Sequence, residues 1–186
     1  MVYHRRLNYI AQFANYARSE IHANNEVYIL FLTVFSVGTA IGSLLCDTIL
    51  KSQISTRFTP FAAIGIAIFT ALMVFFTPAP MTDGLMTIGE FFSVTSHLLV
   101  LSCMLMVAIC CGLYIVPLYA LLQSRAGGSH RSQIIAASNL SDSLSMTLAA
   151  IISAILLSYG LGVKDLFIIV AIITIGVAWY VRKIVA

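Results

Sequence analysis

The chain has 186 residues, of which 60% are apolar and only 9% charged, with a formal net charge of +3. A soluble domain carries about 25% charge, so a water-facing surface cannot be built from this composition. The small positive balance comes with no basic cluster interleaved with aromatics, which excludes nucleic acid as a partner.

Five apolar runs fill most of the chain, at roughly 27–46, 60–77, 98–122, 134–158 and 166–181. About 20 apolar residues of helix cross the hydrocarbon core of a bilayer. In lipid the backbone must satisfy its own hydrogen bonds, so spans are helices or closed barrels. None of the runs alternates with period two. The fold class is therefore all-α, a polytopic transmembrane helical bundle, and membrane lipids are its first partners.

In chain order, residues 1–25 are the least regular. Leu7–Ala17 is semi-apolar and helical in composition, but Asn8, Gln12 and Asn15 interrupt it. It reads as an amphipathic helix or the remnant of a preceding span, and it lacks the clean apolar core of a signal peptide. The remainder, 26–186, reads as a five-span bundle with spans at about 26–50, 60–77, 97–122, 133–158 and 163–183. The first contains Gly38 and Gly42, a small-residue pair that lets two helix backbones approach. A polar connector beginning at Asp47 precedes Pro60, which suits a first helical turn. The connector from Thr77 to Ser96 includes a short interfacial helix over 85–92. Near it, His97 and Glu90 read as a solvated interfacial pair, with a proton relay as the rival reading. Pro117 interrupts the third span, flanked by Tyr114 and Tyr119, and an interior proline removes one helical hydrogen bond. A tight turn at Tyr159–Asp165 joins the last two spans. Trp179 and Tyr180 form an interfacial belt before Arg182 and Lys183.

The fourth span carries the chemistry. Asp142 lies 11 residues past Arg131, about 16 Å along a helix. A carboxylate at that depth is costly and must face protein or water. Ser138, Asp142, Ser145 and Ala149 share one face, while Leu140, Leu144, Leu148 and Ile151 form another. Asp142 reads either as a cavity-lining group that meets substrate or a coupling proton, or as a structural hydrogen-bonding group. Asn139 and Tyr114 join Ser138 and Asp142 as candidates for a substrate path. Gly38, Gly42, Asp47 and Pro117 are candidates for helix packing and gating.

The sequence has no P-loop, no HExxH and no GxSxG, and no residue is assigned a catalytic role; the chain reads as a non-enzyme. Cys46, Cys103, Cys110 and Cys111 lie in or at the ends of apolar runs, with no His or carboxylate at ligand spacing. They read as small packing residues, and no metal or cofactor is expected. Lys51, Arg57, Arg125, Arg131, Arg182 and Lys183 fall on one side of the expected topology. Arg5 and Arg6 join them if Leu7–Ala17 is part of a span. Arg18 and Lys164 fall on the other side. Lys and Arg favour cytoplasmic loops, so the C-terminus is expected in the cytoplasm.

Several stretches resemble the major facilitator superfamily of transporters, in its branch related to lysophospholipid transporters. Phe31–Gly38 continuing through Gly42–Cys46 resembles the eighth helix of that family, and Gly112–Gln123 its tenth. The loop before Arg131 with Ile134–Asn139 resembles its eleventh helix, and Gln12–Arg18 the end of its seventh. The chain departs from the family's loop signature. Gly42 and Asp47 are one residue too far apart, and Thr48 and Ile49 stand where basic residues follow. The resemblance implies a C-terminal half of the fold and alternating access to a lysophospholipid or other amphipathic lipid, in a bacterial inner membrane. It implies as partner a missing N-terminal half or a second copy, and a fused or neighbouring acyltransferase. The alternative is a non-transporting membrane-anchoring module or truncated relic beside such an acyltransferase.

Overall fold

The computed structural model describes residues 24–50, 59–78, 86–125 and 131–185, without the side chains of 47, 49, 50, 125, 131 and 180–185. The expected span remnant at Leu7–Ala17 and the cation-bearing connectors lie outside the described residues. Within them the chain is helical, with no strand. The helices are α1 (Asn25–Leu50), α2 (Thr59–Phe76), α3 (Ile88–Ser93), α4 (Thr95–Arg125), α5 (Arg131–Ser158) and α6 (Val163–Val185). Four of them, α1, α2, α4 and α5, are long and apolar enough to cross a membrane. The fifth expected span coincides with the 23-residue α6.

The helices pack in the order α1, α4, α2, α6, with α3 laid against α1 and α4. The buried positions of each follow one helical stripe. On α1 they include Val27, Phe31, Phe35, Thr39 and Cys46, and on α6 Val163, Leu166, Phe167, Ala171, Thr174 and Ala178. On the central α4, two faces are covered, and Val100, Met104, Val107, Ala108, Cys111 and Tyr114 are all buried. This matches a helix gripped from both sides.

The closest approach joins α1 to α4. A Cβ added at Gly38 would stand 2.7 Å from the Ala108 Cβ, and one at Gly112 would stand 2.6 Å from the Thr39 carbonyl oxygen. One added at Gly42 would overlap the Ile109 carbonyl. The paired positions climb together along both helices, so α1 and α4 run parallel. The intervening α2 must return in the opposite direction, as alternating membrane spans require. Ala108 and Gly112 repeat on α4 the small-residue spacing of Gly38 and Gly42 on α1, so backbone meets backbone with no side chain between. Cys110 of α4 closes on α2, 2.8 Å from where a Cβ on Gly65 would sit.

At the end where α1 begins, the Asn24 amide donates to the Met86 carbonyl at 3.0 Å. This draws α3 over the start of the α1–α4 seam. Phe91 of α3 is fully buried there. Its ring meets Phe31 edge-on at 5.6 Å and stacks on His97 at 5.0 Å, 9° from parallel. His97 is 1% exposed. The expected solvated pair is thus overturned: the imidazole is buried against the Phe91 ring, and only Glu90 remains in water.

The α5–α6 turn closes by backbone chemistry. Gly160 adopts φ 88°, the left-handed conformation that glycine enters without steric cost. The Leu161 amide donates to the Leu156 carbonyl and the Gly160 amide to the Leu157 carbonyl, the pairing of a Schellman cap. Two residues later the Asp165 carboxylate accepts from the Gly162 amide at 2.9 Å and starts α6.

Gly42→Ala places a methyl against the Ile109 carbonyl and should destabilise by about 1–3 kcal/mol. Gly176→Ala, where nothing lies within 4 Å of the added carbon, should stabilise by up to about 1 kcal/mol. Thermal unfolding of the two variants in the same detergent checks the contrast.

Candidate functional site

The carboxylate of Asp142 is the focus, and α5 presents it. This helix differs from the rest of the bundle. None of its described residues is fully buried, and it makes only slight contact with α4 and α6. Its half-buried positions nevertheless form one continuous stripe: Ile134, Ser138, Asp142, Ser145, Ala149, Ser153, Leu156 and Leu157. The opposite face, with Leu140, Leu144, Leu148 and Ile151, is exposed. The face expected from spacing to carry Asp142 therefore turns inward, and the leucine face turns toward lipid.

Around Asp142 the hydroxyls are already engaged. Ser138 donates to the Ile134 carbonyl at 2.9 Å, Ser145 to Ser141 at 2.7 Å and Thr147 to Ser143 at 2.9 Å. Each bond returns to the carbonyl four residues back, a bond that a hydroxyl makes within its own helix. The same bond is made by Thr39 and Ser43 on α1, Thr70 on α2 and Thr174 on α6. A serine on α5 thus needs no partner to enter the membrane. Asp142 has no such local solution, because an ionised carboxylate only accepts. Its Oδ1 is shut off from solvent. The carboxylate lies close enough to Tyr119 of α4 to act on that phenol electrostatically.

The remaining candidates are dispersed. Tyr114 is 2% exposed and belongs to the core shared by α1, α2 and α4. Tyr119, farther along the same helix, is the tyrosine that Asp142 reaches. Pro117 lies buried between them, and its missing N–H leaves the Leu113 carbonyl without its usual helical donor. Asn139 is exposed and is turned away from the Asp142 stripe. Gly38 and Gly42 hold the α1–α4 crossing. Gly112 carries as much of that crossing, and its signal in the sequence is the Ala108-x-x-x-Gly112 spacing. The side chain of Asp47 lies outside the described residues, as do those of Arg125 and Arg131. The four cysteines are free thiols, three of them buried. Among the described residues no group of His, Cys, Asp and Glu could hold a metal ion.

At the α3 end, Glu90 accepts from the Thr87 backbone N–H at 2.8 Å and from the Thr87 hydroxyl at 3.0 Å. These two donors hold the carboxyl below the usual carboxylate range, the backbone bond contributing most. The Nδ1 of His97 is buried and has no hydrogen-bond partner among the described residues. The ring is seated by its stacking on Phe91 and by a hydrogen bond to the Phe91 backbone.

Comparison with protein-family models, with curated proteins and with solved structures finds no match to this chain.

The Glu90 cap has a definite pH dependence. A carboxyl whose folded pKa is depressed adds stability above its unfolded value, about 4.3 for Glu. That contribution is lost as pH falls through the lower folded value. Protection of the Phe91 amide, which donates to the Thr87 carbonyl at 3.0 Å, should fall in that window relative to its intrinsic exchange rate. Glu90→Gln should reproduce part of the loss at neutral pH in a hydrogen-exchange measurement.

Proposed function

We propose that this chain is one bundle of a membrane transporter of the major facilitator type, working by alternating access on a lysophospholipid or a similar amphipathic lipid. The observation that carries the reading is Asp142. It stands about midway along a membrane-length helix, on that helix's inward stripe, and acts on Tyr119 of α4. A carboxylate held at that depth is costly and marks a substrate or proton pathway by default. The α4 segment beside it, with Pro117, has one helical hydrogen bond fewer, which favours bending where a pathway must open and close. The tightest contact of the bundle is the glycine-lined α1–α4 pair, and among the described residues α5 is the helix with least lateral packing. Rigid and loosely held elements side by side are what a rocking mechanism needs.

Alternating access takes two bundles about a central site. The described residues build one, so the reading requires an N-terminal half or a second copy. In the orientation set by the cations, the ends of α1, α4 and α6 face the cytoplasm of a bacterial inner membrane. The rival reading is a membrane-anchoring module for a phospholipid acyltransferase.

Asp142→Asn tests the transport reading. A hydrogen bond to a charged group is worth about 1.5–3 kcal/mol. Uptake of labelled lysophospholipid by cells expressing the chain with its partner half should fall at least about tenfold, with membrane insertion unchanged. Uptake equal to that of the parent removes Asp142 from the mechanism, and no uptake by either protein favours the anchoring module.

A further inference from the structure

Among the described residues α3 is joined to the bundle at few points, and one of them can take a proton. Phe91 is fully buried, with Phe31 of α1 edge-on at 5.6 Å and His97 of α4 stacked at 5.0 Å. The Asn24 amide adds its bond of 3.0 Å to the Met86 carbonyl. The other residues of α3 are all exposed. The helix is only 6 residues long, and an isolated helix shorter than about 12–15 residues is marginal in water. The α3 helix therefore depends on the docking of Phe91.

His97 docks it as a neutral ring. The side chain is 1% exposed. It bonds the Phe91 backbone, and its Nδ1 has no hydrogen-bond partner among the described residues. A neutral imidazole has one N–H to place, and the Phe91 backbone takes it. A proton on Nδ1 would add a charge and an unmet donor in a site closed to water, which is costly. The attraction of a cation for the one ring it faces returns only part of the hydration lost.

The ionisable groups on the packed helices do not answer that charge. Glu26 of α1 is exposed, and Tyr28 beside it is a phenol. Glu90 of α3 is exposed and accepts from Thr87. The α2 helix carries no ionisable side chain. On α4 none lies between His97 and Cys103. Asp142 of α5 acts on Tyr119, which stands about 33 Å along α4 from His97.

We infer that α3 is a cover released by a proton: a neutral His97 holds Phe91 over the start of the α1–α4 seam, and protonation of that ring undocks α3 and uncovers Phe31. Imidazole in water takes its proton at about pH 6.5. The open form binds the proton and the docked form does not. Docking is therefore fully favoured above that value and weakens as the pH falls below it. Between about pH 7.5 and about pH 5.5 the open fraction should rise about tenfold. This window lies above that of the Glu90 cap, so the two effects are separable. The inference stands apart from transport, because it concerns only α3 and the seam it covers.

Hydrogen exchange of the full-length chain in one detergent, corrected for intrinsic rates, tests it at those two pH values. The Asn24 amide reports the docking bond and the Phe91 amide, bonded to the Thr87 carbonyl, reports the helix. Each should lose about tenfold in protection on acidification, while amides at the Gly38–Ala108 crossing keep theirs. His97→Phe leaves a ring against Phe91 that cannot titrate, and its protection should be the same at both values. His97→Gln, which offers the Phe91 backbone a donor and takes no proton, repeats the comparison independently. Equal protection of the parent at both values overturns the inference. So does a loss shared by the Gly38–Ala108 crossing, which marks global unfolding. A loss that persists in either variant also overturns it and assigns the titration to another group.

Discussion

Between α1 and α4, Gly38, Gly42 and Gly112 remove the side chains that ordinarily hold two helix axes apart. Water is not available to drive apolar surfaces together inside a bilayer, since lipid tails are as apolar as leucine. Close backbone contact and the dispersion it gathers take over that role. Every other placement follows from this crossing. It makes the two helices parallel, which forces α2 to return between them in sequence. It leaves the far flank of α4 free for α2, and α2 in turn presents its other side to α6. It also brings the starts of α1 and α4 to one end, where Phe31 and His97 clasp Phe91.

The polar groups of the bundle divide into those satisfied within their own helix and those that are not. Serines and threonines on α1, α2, α5 and α6 bond the carbonyl one turn back, so their presence says little about partners. Asp142 and His97 have no such recourse, and the chain treats them in opposite ways. His97 is enclosed in an apolar cluster where a neutral ring stacks well and a charge would be poorly solvated. Asp142 sits on the half-buried stripe of α5, which among the described residues has the fewest neighbours, within electrostatic reach of Tyr119.

Much of this was legible in the residues. Apolar run length located α1, α2, α4, α5 and α6 to within a few positions, because a bilayer demands a minimum length of helix. The two faces of α5 followed from spacing alone, since Asp142 must turn from lipid and the leucines need not. The burial of His97 was not legible. It depends on α3 folding back through the Asn24–Met86 bond and Phe91, contacts between segments distant in sequence. Nor did hydropathy reveal that α5 stands apart from the core, because a lipid-facing flank and a protein-facing flank are equally apolar. The partner of the Gly38–Gly42 pair was written in Ala108 and Gly112, but small-residue spacing names a surface without naming what it meets.

The Schellman turn at Gly160 and the Asp165 cap leave only Tyr159–Gly162 between α5 and α6, with both helix ends chemically closed. Such a joint has few free torsions. The α6 helix is fastened to α2 along its length, whereas among the described residues α5 touches only α4 and α6, and slightly. The pair therefore behaves as a crank: α5 is the free arm, the turn is the bearing, and α6 is the fixed mount. Displacement at the Arg131 end of α5 would swing its whole length about that bearing and carry Asp142 roughly three-fifths of the distance the tip moves.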